Sequence, residues 1–157
     1  VGRSRLARRP LDPRAAAAPV AAACGAGVTA PAAVDTRSDA CAECRMTVSS
    51  ARFASQLVAP GEEPRFFDDL GCLAAYLGAH ASLPPGAIAY VADHRSGEWA
   101  PAATAVYTRV PGLETPMGSH VVAHASAASR DGDPAATGGT AVDAASFFSR
   151  TLPDGSR

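Results

Sequence analysis

The stretch Cys41-Ala42-Glu43-Cys44-Arg45-Met46 constrains this chain most. Two thiols stand two residues apart, and a thioether follows two residues later. Soft sulfur donors in such density select Cu(I), zinc or iron–sulfur clusters. A thioether adds little to zinc affinity and suits Cu(I) well, so Met46 tilts the choice toward copper. The chain has only one other methionine, Met117, in Thr115-Pro116-Met117-Gly118-Ser119. Neither methionine lies on an apolar stripe, so neither is needed as core filling. Both are candidate ligands.

A Cys-x-x-Cys pair has two other common uses. A tetrahedral structural zinc needs two more ligands. No second pair is present, and the best remaining set is Cys72 with His80 or His94. A thioredoxin-like redox pair opens a helix after a strand. Here the pair precedes Thr47-Val48-Ser49-Ser50 instead. Cu(I) held by Cys41, Cys44, Met46 and Met117 fits the donor types best, with His120 and Cys72 as further candidates. The zinc-stapled or disulfide-stapled module and the thiol oxidoreductase stand as alternatives.

At 157 residues the chain has room for one domain or two very small ones. All 14 basic residues are Arg, and Lys and Asn are absent. Residues 1–23 carry five Arg against Asp12, a net +4, so the remainder of a chain of net charge −1 carries −5. An acidic body argues against nucleic-acid binding. No run approaches the roughly 18–20 apolar residues of a membrane span.

The N-terminal 23 residues read as a secretory signal: Arg-rich, then Ala-rich, then small residues directly before Cys24. A cysteine in that position resembles a bacterial lipobox. Lipidation of Cys24 would anchor an otherwise soluble protein to a membrane, on the periplasmic side of the cell envelope. Residues 24–40, rich in Ala, Gly, Pro and Thr, read as a flexible tether.

Regular patterning starts at Phe53. Residues 53–59 and 65–68 read as two strands of a hairpin around Pro60-Gly61-Glu62-Glu63-Pro64. Asp68 or Asp69 caps a helix, whose Leu70, Leu73, Ala74 and Leu77 share one face. Residues 87–93 read as a strand. Residues 94–101 form a turn-rich link. Strands follow over 103–110 and 120–125, then a shortened helix over 135–137, a strand over 140–142 and a last helix over 144–150 capped by Asp143. The result is an α+β fold: two ββαβ units, 41–94 and 95–152, in tandem after a disordered N-terminal signal and tether, with a tail at 153–157.

His120 and His124 share one side of their expected strand, and a solvated face explains them more simply than a site. Cys72 falls in the first turn of the expected helix. Its simplest reading is a small buried hydrophobe, although a helix N-terminus would favour its thiolate. No nucleophile–base pair and no phosphate-binding glycine loop occurs. Nothing in the sequence calls for an enzyme.

These blocks together resemble the NosL family, accessory lipoproteins of nitrous-oxide reductase. Cys41-Ala-Glu-Cys44-Arg-Met46 is similar to the family's C-x-x-C-x-M element, with Arg45 where Gly is usual. Phe67-Asp68-Asp69-Leu70-Gly71-Cys72-Leu73, Tyr90-Val91-Ala92-Asp93 and Thr115-Pro116-Met117-Gly118-Ser119 resemble further blocks in the same order. Cys24 matches the lipobox position, and the likeness covers about residues 41–142. The resemblance implies a periplasmic, membrane-anchored Cu(I) chaperone for the reductase's copper–sulfide centre. A copper donor or transporter and the reductase, or another copper-requiring client, would be its partners. It also implies two ββαβ units, similar to a non-catalytic part of organomercurial lyase. The sulfur ligands it implies are Cys41, Cys44, Met46 and Met117.

Overall fold

The computed structural model describes residues 29–156. The segment expected to be a signal, and Cys24, lie outside them. The fold is α+β, with two small antiparallel sheets in tandem. The first sheet contains β1 (Ser55–Val58), β2 (Arg65–Phe67), β3 (Ile88–Ala92) and β4 (Trp99–Pro101), in the order β2-β1-β3-β4. The helix α1 (Leu70–Ala79) connects β2 to β3. The second sheet contains β5 (Val106–Arg109), β6 (Val121–His124) and β7 (Thr140–Val142), in the order β6-β5-β7. The short helices α2 (Ala127–Asp131) and α3 (Ala144–Phe148) complete it.

The two sheets share one wiring scheme. In each, the first strand is central, and the next two strands pair antiparallel on its two sides. The elements run β-β-α-β in both cases, as the hydrophobic pattern predicts.

Side-chain alternation explains why β1 reads so poorly as a half-buried strand. All four of its residues are buried. Leu57 faces the main core with Phe67, Ala89 and Val91. Successive side chains point to opposite faces, so Gln56 faces the other way, paired in register with Phe66 and Tyr90. That second face is covered by residues expected to be tether. Ala32 and Val34 pack with Val48, Ala54, Phe66 and Trp99. Gln56 clasps the backbone of Ala32 from both sides: the Ala32 amide donates to Oε1 at 2.8 Å, and Nε2 donates to the Ala32 carbonyl at 3.0 Å. The Tyr90 hydroxyl donates to the Thr29 carbonyl at 2.8 Å. Residues 29–40 are therefore docked chain. A sequence of small residues reads as a linker because it lacks periodicity, yet small residues are what a flat sheet face accepts closely.

The main core joins both units. Leu70, Cys72, Leu73 and Leu77 of α1 lie in it with Tyr107, Val121, Ala123, Phe148 and Leu152. Tyr107 meets Phe148 edge to face at 5.3 Å and its hydroxyl donates to the Ala102 carbonyl at 2.7 Å. Arg150 reaches back to the end of α1 and donates to the carbonyls of Leu77 and His80 at 3.2 and 2.9 Å. A cation there satisfies orphan carbonyls and suits the negative end of the helix dipole.

Several expected boundaries shift for local reasons. The link over 94–101 contains β4, a three-residue strand held by pairing with β3 through Tyr90↔Pro101 and Ala92↔Trp99. The expected strand over 103–110 opens with a 3₁₀ turn, Ala102–Thr104, so β5 starts at Val106. The expected helix over 135–137 is a 3₁₀ turn, Pro134–Ala136, capped by Asp133. A separate helix, α2, precedes it with Ser126 as its cap. α3 stops at Phe148 because Ser149 is left-handed, at φ 55°.

Candidate metal centre

The Cys-x-x-Cys segment runs beside the outer edge of β2. Cys41 bridges Phe66 in parallel register, and the Ala42 amide donates to the Phe66 carbonyl at 2.8 Å. The loop then closes on itself. The Arg45 amide donates to the Cys41 carbonyl at 3.0 Å, and the Cys41 amide donates to the Met46 carbonyl at 2.7 Å. An antiparallel bridge between Ala40 and Thr47 seals its base. So tight a loop needs one residue in the left-handed region, and Arg45 takes it at φ 67°.

α1 brings the third thiol. Asp69 is its N-cap, accepting from the Gly71 amide at 2.6 Å, which puts Cys72 in the first turn facing inward. Asp68, the other candidate cap, is buried and accepts instead from the amide and hydroxyl of Ser49 at 2.6 and 3.0 Å. The outcome is a cluster of Cys41, Cys44 and Cys72, with the three sulfurs within 4.8 Å of one another. All three are thiols with no disulfide between them. Cys41 and Cys72 are buried, and Cys44 is half-buried at the rim. The cluster could hold a metal ion.

The three sulfurs are not electrostatically equal. Burial pushes the Cys41 thiol up, but hydrogen bonds from the backbone amides of Cys44, Asp68 and Glu43, with one from the Cys44 thiol, outweigh it. The net shift is downward. Such a nest of N–H donors favours the thiolate. Cys72 moves the other way: burial raises it, and negative charge on Cys41 and Cys44 raises it further. The expectation that the helix start would activate Cys72 is thus reversed. Backbone amides favour the thiolate at Cys41, while burial and the neighbouring sulfurs disfavour it at Cys72.

Met117 is carried to the same end of α1. Its amide donates to Asp69 Oδ2 at 3.1 Å. Hydroxyls of Ser119 and Thr115 also bond the Asp69 carboxylate. Burial raises this carboxyl, while those hydroxyls and the amides of Gly71 and Met117 hold it below its ordinary value. Gly71 lets the loop approach: a Cβ there would lie 3.1 Å from Asp69 Oδ1 and 3.3 Å from Ser119 Cβ. Met46 and Met117 are the large hydrophobic side chains left exposed among the described residues, at 57% and 46%.

The histidines lie elsewhere. His120 precedes β6 in a left-handed conformation, φ 55°, with Nδ1 2.9 Å from the Leu113 carbonyl. His124 is fully buried at the end of β6, so a shared solvated strand face is not what the chain builds. His80 sits at the far end of α1, stacked on Tyr76 at 3.9 Å. The expected zinc set of Cys72 with His80 or His94 does not assemble. His94 belongs to a second cluster, with His124 and Asp133, that spacing along the chain gives no sign of.

The comparisons add no name to this geometry: the chain matches no family model, no curated protein and no solved structure.

Proposed function

We propose that this protein is a Cu(I) carrier of the cell envelope. The observation that carries the reading is the pairing of three converged thiols with two exposed thioethers. Met46 lies two residues beyond Cys44, and the Met117 loop is tied to the cap of the helix that bears Cys72. Thiolate and thioether donors are the set that selects Cu(I).

Coordination number favours copper over a structural zinc. Among the described residues the thiol cluster contains three Cys and no His or carboxylate. Zinc in structural sites is almost always four-coordinate, whereas three sulfurs suffice for a monovalent soft ion. A site one ligand short of closure also suits transfer. Cys44, half-buried, is where an incoming donor would begin exchange, and the exposed Met46 and Met117 would be the soft entry ligands. The resemblance of these blocks to NosL supports a client of the same kind: the copper–sulfide centre of nitrous-oxide reductase, or another copper-requiring protein. Cys24 would then be the lipid anchor, holding the carrier at the periplasmic side of a membrane.

Anaerobic titration of Cu(I) against a competing chelator tests the reading. Cys44→Ser combined with Met117→Ala is expected to weaken affinity by at least about tenfold. Unchanged affinity in that variant removes the site. Thiolate ligands must be deprotonated to bind, so affinity is expected to fall as pH falls. Zinc rather than copper in anaerobically purified protein, with melting on chelation, would favour a zinc-stapled module instead.

A further inference from the structure

We infer that His94, His124 and Asp133 form a second metal site, for a divalent cation of the zinc class, sharing no residue with the thiols. One ligand atom from each lies within 4.8 Å of the others, and all three residues are buried. His94 Nδ1 is 2.6 Å and His124 Nε2 is 3.0 Å from the same oxygen, Asp133 Oδ2. Two imidazoles and one carboxylate converging on a point are donors that zinc, cobalt and nickel accept readily. Bond lengths of about 2.0–2.2 Å in a tetrahedral site place neighbouring donors roughly 3.3–3.6 Å apart. The observed 2.6 and 3.0 Å separations would open by about half an ångström to one ångström on binding.

The backbone already fixes the three residues. The His94 amide donates to the Ala123 carbonyl at 2.9 Å, joining the end of β3 to β6 beside His124. Asp133 Oδ1 accepts from the Ala135 amide at 3.0 Å, which leaves Oδ2 for the imidazoles. Asp93 clamps the other side, accepting from the Ala125 amide at 2.7 Å. Its carboxylate adds a second negative charge to a seam where the ion would leave one positive charge uncompensated.

The His124 ring is held through Nε2 alone. Its Nδ1 is buried and has no hydrogen-bond partner. Buried polar atoms rarely go unpaired, and an imidazole with an idle second nitrogen has nothing but Asp133 to fix its tautomer. A cation displacing the proton between Nε2 and Asp133 would therefore break no other bond of that ring. A cleft of about 340 Å³ is lined by Asp133 together with Thr108, Arg130 and Gly139.

Co(II) is the probe, added anaerobically to the full chain and followed by paramagnetic NMR and optical absorption. The expected result is shifted imidazole resonances from two histidines, removed by competing Zn(II). These should persist in Cys41→Ser/Cys44→Ser, where thiolate-to-cobalt absorption is lost. That variant keeps this site and the copper reading separable. Asp133→Asn keeps the shape and an acceptor, and is expected to weaken Co(II) at this site by at least about tenfold. Zn(II) should raise Tm in the thiol variant and leave Tm unchanged when that variant also carries Asp133→Asn. The inference is overturned if the wild-type chain shows no shifted imidazole signals once its thiolate absorption saturates. It is equally overturned if Asp133→Asn binds Co(II) through the histidines as tightly as the wild type.

Discussion

The Met117 amide donates to the Asp69 carboxylate at 3.1 Å, between residues 48 apart in the chain. Asp69 is at once the cap of α1 and the post to which the Met117 loop is tied. One carboxylate thus positions two sulfur-bearing segments, the first turn with Cys72 and the loop with Met117. Asp69→Ala should cost about 2–3 kcal/mol, combining loss of a helix cap with buried donors left unpaired. Urea unfolding measures that loss, and hydrogen exchange should show the Met117 amide deprotected. Asp69→Asn, which still accepts at the cap, should cost less. A Met117 amide that stays protected in Asp69→Ala would mean the loop is held by something else.

Acid should attack the seam between the two sheets first. Burial raises the Asp133 carboxyl, but hydrogen bonds from His124 and His94 outweigh it and hold it at about 2, against an ordinary 3.8. Asp93 is likewise depressed: burial raises it, while bonds from Ser129, Ala125 and Ser96 lower it further. Between the folded and unfolded values the unfolded chain takes the proton and the folded chain does not. Stability from Asp133, about 2–3 kcal/mol, is therefore complete above about pH 5 and lost as pH falls toward about 2. Urea midpoints from about pH 7 down to about pH 3 would trace it. Asp133→Asn should be less stable near neutrality and show a shallower decline in acid.

Much of the path to the thiol cluster can be read from residue order alone. The hairpin is legible from its Pro-Gly turn, and α1 from Leu70, Leu73 and Leu77 behind an acidic cap. Convergence of Cys72 with Cys41 is not, because it depends on Cys41 pairing beside Phe66 at the sheet edge. That is a register fact with no local signature. The His94–His124–Asp133 cluster is less legible still. His94 lies in the turn after β3, His124 ends β6 and Asp133 caps a 3₁₀ turn, and only the contact of the His94 turn with β6 brings them together. Burial of His124 has one trace in the sequence, the apolar Val121-Val122-Ala123 directly before it. The docking of residues 29–40 is hidden for the opposite reason. Its contacts are backbone and small side chains, which leave no pattern.

Arg45 is a stabilisable position. It holds the left-handed conformation that closes the Cys-x-x-Cys loop, at φ 67°, and a Cβ makes that conformation unfavourable. Its side chain makes no ion pair among those described. Arg45→Gly should stabilise the fold by about 0.5–1 kcal/mol, since relief of strain exceeds glycine's added freedom when unfolded. The same change removes a positive charge next in sequence to Cys44, so reaction of this half-buried thiol with a thiol reagent should slow at fixed pH. Thermal unfolding of the metal-free chain checks the first effect, and alkylation rate checks the second. A lower Tm in Arg45→Gly would show that the guanidinium makes a contribution the loop geometry does not reveal.

Gln56 decides whether the N-terminal segment is part of the fold. Its amide exchanges two hydrogen bonds with the backbone of half-buried Ala32 from the middle of β1, where Gln56 itself is fully buried. Gln56→Ala removes both partners of a buried peptide unit, a loss of about 2–4 kcal/mol if the segment stayed in place. The segment can escape that penalty by undocking, because its remaining hold is the Tyr90–Thr29 bond and the contacts of Ala32 and Val34. The expected result is a global stability loss smaller than that sum, with local release instead: limited proteolysis should cut between Thr29 and Asp35 in Gln56→Ala and spare the wild type. Exposure of the Val48, Ala54 and Phe66 face should follow, read as increased binding of a hydrophobic dye. Protease resistance retained in Gln56→Ala would place the anchoring in Ala32 and Val34 packing, and Val34→Ser would then be the variant that frees the strand face.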